Sequence, residues 1–135
     1  MIMPFLSVKD VDESIAYYVD KLGFRVDFNM AGPEGKAQMA GVSLGNSGFG
    51  LAYDPESAKG GEGVMFMVYV PDDMDIDAYY ADVKARDAKI ESDIKTEYWG
   101  DRVFSVRDID GYYISLCKTV KQMTMDEIAE AARNQ

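Results

Sequence analysis

Apolar and polar positions change period several times along this chain, and each change marks an element. Ile2 to Val8 (IMPFLSV) alternates apolar residues, the pattern of a strand with one buried face. In the next segment, DVDESIAYYVDKLGF, Ile15, Tyr18, Val19 and Leu22 recur at helical spacing. Acidic residues crowd its first turn, where they meet the positive end of the helix dipole, and Gly23 supplies a stop signal. Phe24, Val26 and Phe28 then alternate as a strand, and KAQMAGVSLGNSGFGLAYD reads as two strands around an Asn46-Ser47-Gly48 turn. GGEG, Gly60 to Gly63, interrupts the pattern; it lacks phosphate-loop spacing and reads as a linker. The elements then restart. VMFMVYV is a strand, PDDMDIDAYYADVKARD an acid-started helix, Ile90 to Ile94 a strand, and RVFSVRD with GYYISLCK a hairpin around Asp110-Gly111. A last helix is predicted at about Thr124 to Arg133, where Thr124 and Glu127 have capping-box spacing.

The restart is a repeat. Val8, Asp10, Ala16, Tyr17, Tyr18 and Asp20 recur as Val70, Asp72, Ala78, Tyr79, Tyr80 and Asp82, each 62 positions on (70 − 8, 80 − 18). Gly48-Phe49-Gly50-Leu51-Ala52-Tyr53 lines up with Gly111-Tyr112-Tyr113-Ile114-Ser115-Leu116, which makes Ala52 and Ser115 equivalent positions of two closing strands. One such unit cannot bury its sheet face alone, so the two are expected to pair. The predicted class is therefore α+β: two βαβββ modules, about 1–58 and 63–120, forming curved mixed sheets around a cleft. They make one domain, 1–120, followed by a C-terminal helical extension at 121–135.

Composition narrows the partners. Hydrophobic residues are 47% of the 135, enough for a core. A net charge of −10 repels phosphate backbones and anionic membrane surfaces, so neither nucleic acid nor membrane is an expected partner. The single cysteine, Cys117, cannot form an internal disulfide, which fits a reducing compartment. With no histidine in the chain it has no partner of the Cys-His kind, and a small buried hydrophobe is the expected role. Apolar runs are far short of the ~20 residues a membrane helix needs. The opening MIMPFLSVKD has no basic region before its apolar stretch and does not read as a signal peptide, so the cytoplasm is the expected location.

Two stretches carry a family resemblance: FLSVKDVDESIAYYVDKLGFRV near the start and WGDRVFSVRDIDGYYISL near the end. With the repeat, they resemble the vicinal-oxygen-chelate superfamily, which includes glyoxalase I, extradiol dioxygenases, methylmalonyl-CoA epimerase and the fosfomycin- and bleomycin-resistance proteins. Pro4, Trp99-Gly100-Asp101-Arg102 and the tail TVKQMTMDEIAEAA look most like the bleomycin-resistance and PhnB-like branch. In metal-using members, each module brings one ligand from its first strand and a glutamate from its last. The resemblance places those four positions at Met3 (8 − 5), Ala52, Met65 (70 − 5) and Ser115. Thioether, methyl and hydroxyl groups are poor ligands for the hard or borderline divalent ions this family uses. No metal and no other cofactor is therefore expected, and catalysis of the metal-dependent kind is disfavoured. The resemblance also implies a homodimer, with the apolar stripe of Met125, Ile128, Ala129 and Ala132 docked on its own subunit or across the dimer.

Six residues are the candidate ligand contacts: Trp99, Arg102, Tyr53, Met65, Tyr113 and Met39. Trp99 can stack on a flat ligand while Arg102 pairs with an anionic group. Equally, Trp99 can close one end of the core, and Arg102 can bridge to Asp101 or Asp108. The methionines and tyrosines suit an adaptable apolar pocket, although alternation sends about half of such strand residues to the other face. Asp54, Glu56, Glu62, Glu97 and Asp101 lie near the expected cleft rims, and the sequence singles out none of them as a base. The reading that fits best is a metal-free protein binding a small, partly aromatic molecule. A lyase, isomerase or dioxygenase of the same superfamily and a non-ligand-binding interaction module are the alternatives.

Overall fold

A computed structural model of the chain describes residues 1–135. Its first module runs β1 (Phe5–Val8), α1 (Val11–Ala16) with a π-helical continuation (Tyr17–Lys21), β2 (Arg25–Ala31), β3 (Ala37–Leu44) and β4 (Ser47–Tyr53). The second runs β5 (Met65–Tyr69), α2 (Ile76–Ala85), β6 (Lys89–Thr96), β7 (Asp101–Arg107) and β8 (Tyr113–Thr119), and α3 (Met125–Arg133) ends the chain. Each module folds into its own four-stranded sheet, in the orders β1-β4-β3-β2 and β5-β8-β7-β6. In each, the first strand lies parallel to the last and the other neighbours are antiparallel. The α+β class, the two βαβββ modules and the C-terminal helix are all observed.

Side-chain caps fix where the helices start. Asp10 accepts from the Glu13 amide at 3.0 Å, and Asp75 accepts from Asp77 and Ala78 at 3.0 and 3.1 Å. Thr124 and Glu127 form the full capping box of α3.

The repeat survives at the level of elements but not at a constant spacing of 62. Ser7 lies beside Ala52 and Met67 beside Ser115, a spacing of 60 (67 − 7), whereas the helix caps Asp10 and Asp75 are 65 apart. The reason is periodic. A two-residue slip in a strand keeps the same face, and a three-residue slip in a helix is close to one turn, so the aligned residues share a pattern without sharing a position. The first hairpin turn also falls earlier than Asn46-Ser47-Gly48. Gly45 takes the left-handed conformation at φ 60°, and Ser47 and Gly48 already belong to β4.

One face of each sheet is covered by helices, and these two faces share one core. Leu6, Val8, Val42, Phe49 and Leu51 from the first sheet join Val68, Phe104, Val106, Ile114 and Leu116 from the second in a single buried cluster. Phe49 stacks on Phe66 across the modules at 5.8 Å. Tyrosines stitch the seam. Tyr17 donates to the Arg107 carbonyl (2.6 Å), Tyr18 to Asp108 (2.6 Å), Tyr112 to the Ser7 carbonyl (2.8 Å) and Tyr79 to the Leu22 carbonyl. Every buried side-chain polar atom has a hydrogen-bond partner. By contrast, α3 buries none of its residues, and Met125 is 76% exposed. No helix is long and apolar enough to cross a membrane.

Candidate functional site

Each sheet leaves one face without helices. Register assigns the residues of these faces. On the first sheet they are Phe5 and Ser7 of β1, Gly48, Gly50 and Ala52 of β4, and Met39, Gly41 and Ser43 of β3. Two glycines on this face make room for aromatic rings: a Cβ on Gly50 would lie 2.2 Å from the Phe5 ring, and one on Gly41 would lie 2.5 Å from Phe28. On the second sheet the open face holds Met65, Met67 and Tyr69 of β5, Tyr113, Ser115, Cys117 and Thr119 of β8, and Asp101, Val103, Ser105 and Arg107 of β7. Met65, Met67 and Tyr69 are exposed.

Asp101 organises one end of this second face. It is only 4% exposed and receives three side-chain donors. The Trp99 indole N–H (3.0 Å) and the Tyr69 hydroxyl (2.5 Å) share Oδ2, and Thr119 donates to Oδ1 (2.9 Å). The hydrogen bond to Asp101, with burial second, pushes the Tyr69 phenol up to about 12. To reach Asp101 from β5, Tyr69 must cross β8, and this leaves Cys117 between them with no solvent exposure. Burial pushes the Cys117 thiol up to about 12, so it is an inert hydrophobe. At the other end, the Arg107 guanidinium sits 4.7 Å over the Tyr113 ring while bonding the Gly111 carbonyl (2.9 Å) and Glu91 (3.4 Å). In the middle, Ser105 and Ser115 bond each other at 2.9 Å.

The structure therefore brings Trp99, Met65 and Tyr113 to one face, and places Met39 on the open face of the other sheet. It separates the remaining two. Arg102 follows Asp101 on β7, so alternation turns it to the helix-covered side, where it holds Asp77 of α2 at 2.7–3.1 Å and Thr96 at 3.1 Å. Its partner is neither Asp101 nor Asp108, and the contact holds the Asp77 carboxyl below its ordinary value. Tyr53 lines a different surface cleft of about 390 Å³, between the start of α1 and the β2–β3 hairpin. Sequence reasoning missed Tyr69, Thr119 and Arg107. Strand alternation from Met65 would have placed Tyr69 on the same face, but its bond to Asp101 spans 32 residues and leaves no local signal.

The residues do not fit the family's metal. Ser115 is held by Ser105, and the first-strand residues beside Ala52 and Ser115 are Ser7 and Met67 rather than Met3 and Met65. The shift changes nothing chemically, because the open-face residues of β1 and β5 are Phe5, Ser7, Met65, Met67 and Tyr69. No group of three His, Cys, Asp or Glu side chains converges anywhere to hold an ion.

Fold and face together define a two-module βαβββ protein with an open aromatic and thioether surface. The chain belongs to the glyoxalase/bleomycin resistance protein/dioxygenase superfamily, whose sequence profile matches residues 2–116. It is 26% identical to the uncharacterized protein Mb0911c of Mycobacterium bovis over 144 aligned positions, covering 98% of this chain and 91% of that one. Its fold is similar to TioX from Micromonospora sp. ML1 (TM-score 0.70, 22% identity, 92% and 99% coverage). It also resembles a glyoxalase-related enzyme from Clostridium phytofermentans (TM-score 0.67, 28% identity, 88% and 94% coverage).

Proposed function

We propose that the protein binds a small, partly aromatic molecule without a metal, on the open face of the second sheet. One observation carries this reading: Trp99, Tyr69, Met67, Met65 and Tyr113 share a face whose only carboxylate, Asp101, is taken by three side-chain donors and has no second acidic, thiol or imidazole pair beside it to form an ion site. Thermal-shift screening of planar aromatic compounds tests it. A ligand at one hundred times its Kd stabilises the folded state by roughly 2.7 kcal/mol. Compounds that raise Tm equally with chelator and with added zinc support the reading; shifts that appear only with metal contradict it.

A second copy of the chain completes the site in this proposal. None of the principal surface concavities of the single chain is lined by both open faces. The chain exposes 7965 Å², against about 7,000 Å² for a compact monomer of this mass. The surplus is close to the roughly 800 Å² that each partner buries in a standard interface. Exposed Phe5, Met65, Met67 and Met125 supply apolar contact area for it. Light scattering at micromolar concentration should give the mass of two chains, and a monomer refutes this part.

The enzyme reading draws on the glyoxalase-related relative. It requires a base on the open face, but Asp101 is occupied by three donors and Glu91 is paired with Arg107.

A further inference from the structure

We propose that Asp101 is a positioning residue that holds Trp99 and Tyr69 as an aromatic wall with no free donor, selecting a planar aromatic cation over a planar anion. The inference rests on the binding reading above and adds its specificity. Both aromatic side chains have one polar end, and both ends are spent on the same carboxylate oxygen. What they offer a ligand is ring surface, not a hydrogen bond. The backbone fixes the wall from below. The Glu97 amide bonds the Asp101 carbonyl (2.7 Å), Gly100 adopts φ 100°, and its carbonyl accepts from Val120 and Lys121 at 3.0 Å each. A Cβ at Gly100 would stand 2.1 Å from the Lys121 carbonyl, so the turn that presents Trp99 has no room for a side chain. Tyr98 packs edge-on against Trp99 at 5.1 Å.

A carboxylate accepting from both aromatic donors adds negative potential behind rings whose faces are already electron-rich. Arg102, the nearest cation in sequence, is turned away and bound to Asp77. Arg107 is at the far end of the face, over Tyr113. The lysines nearest the turn face carboxylates of their own, Lys95 at Glu97 (3.3 Å) and Lys121 beside Glu127, so an anionic ring stacked on Trp99 meets the Asp101 carboxylate with no cation dedicated to it, while a cationic ring gains from both rings and charge.

The test compares proflavine, a three-ring planar cation, with 9-anthracenecarboxylate, a three-ring anion, on wild type, Asp101→Asn and Tyr69→Phe. Two readouts need no ligand: the anisotropy of Trp99, the only tryptophan, and the phenolate absorbance titration of Tyr69, taken as the difference from Tyr69→Phe. Wild type should bind proflavine saturably and more tightly than the anion. Asp101→Asn should bring the Tyr69 titration down from about 12 toward the ordinary tyrosine value and lower Trp99 anisotropy. Proflavine should weaken by roughly tenfold, the size of one charge-assisted hydrogen bond. Tyr69→Phe keeps the ring and removes only the anchor; weaker proflavine binding there separates positioning from simple stacking, and serves if Asp101→Asn misfolds. Unchanged titration and anisotropy in Asp101→Asn overturn the positioning role. Unchanged proflavine affinity in both variants, or tighter binding of the anion by wild type, overturns the selectivity. If wild type binds neither compound, the selectivity claim and its binding premise both fail, while the ligand-free readouts still decide the role of Asp101.

Discussion

Tyr18→Phe probes one of the four tyrosine bonds that join the two modules. Tyr18 is fully buried, and its hydroxyl donates to Asp108 Oδ2 at 2.6 Å across 90 residues of sequence. The other oxygen of Asp108 accepts the Asp110 and Tyr112 amides at 2.9 Å each. Removing the hydroxyl leaves a buried carboxylate oxygen without its donor, a loss of about 1.5–3 kcal/mol for a hydrogen bond to a charged group. At roughly 3–5 °C per kcal/mol for a domain of this size, Tm should fall by about 5–15 °C. The penalty should also depend on pH. Burial raises the Asp108 pKa, and the Tyr18 bond opposes that rise. A carboxyl whose folded pKa is raised binds more protons folded than unfolded between the two values. Its contribution is therefore complete below the unfolded pKa and is lost as pH rises through the folded one. Without Tyr18 the folded pKa rises further, so the deficit at pH 7 should exceed that near pH 4. Urea denaturation followed by Trp99 fluorescence at both pH values measures this. A loss under about 0.5 kcal/mol, or an equal loss at both pH values, would refute the argument.

Other outcomes follow from the same structure. Asp108→Asn keeps an acceptor for the two amides while Tyr18 can turn to accept, so it should stay within about 1.5 kcal/mol of wild type and flatten the pH dependence, whereas Asp108→Ala should cost about 2–4 kcal/mol; urea midpoints compare them. Gly100→Ala should lower stability by about 2 kcal/mol or more, because it combines a left-handed backbone position with a clash on the Lys121 carbonyl; calorimetry reads the loss. Elemental analysis of protein purified without chelator should find substoichiometric metal, and one equivalent of zinc, iron, nickel or manganese per chain would contradict the account of Ala52 and Ser115. Deleting residues 124–135 should lower the Tm of the single chain by only a few degrees, since α3 has no fully buried residue; calorimetry at a concentration where light scattering shows a monomer reads it.

The fold was readable because local signals and the repeat agreed. Asp10, Thr124 with Glu127, and the Asp110-Gly111 turn each mark a boundary through a short-range hydrogen bond that sequence spacing reveals. The repeat spacing misled only where periodicity hides a slip, in β5 and α2. The open face of the second sheet was half readable. Met65 and Tyr113 are neighbours in register, and both were candidates. Arg102 and Tyr53 lie apart from that face because one residue along a strand exchanges the open face for the covered one. Asp101 could not be singled out, since its donors come from three separate segments at separations of 2, 18 and 32 residues. Only the folded sheet brings them together.

The central claim is ligand binding at Trp99 without a metal, and Trp99 fluorescence titration tests it most directly. A panel of planar aromatic compounds is titrated into the protein in excess chelator and again in excess zinc. The account predicts saturable quenching by at least one compound, with the same affinity in both buffers and a roughly 2- to 30-fold loss on Tyr69→Ala, the other ring of the wall. No saturable change across the panel, or a change that appears only with zinc, would contradict it.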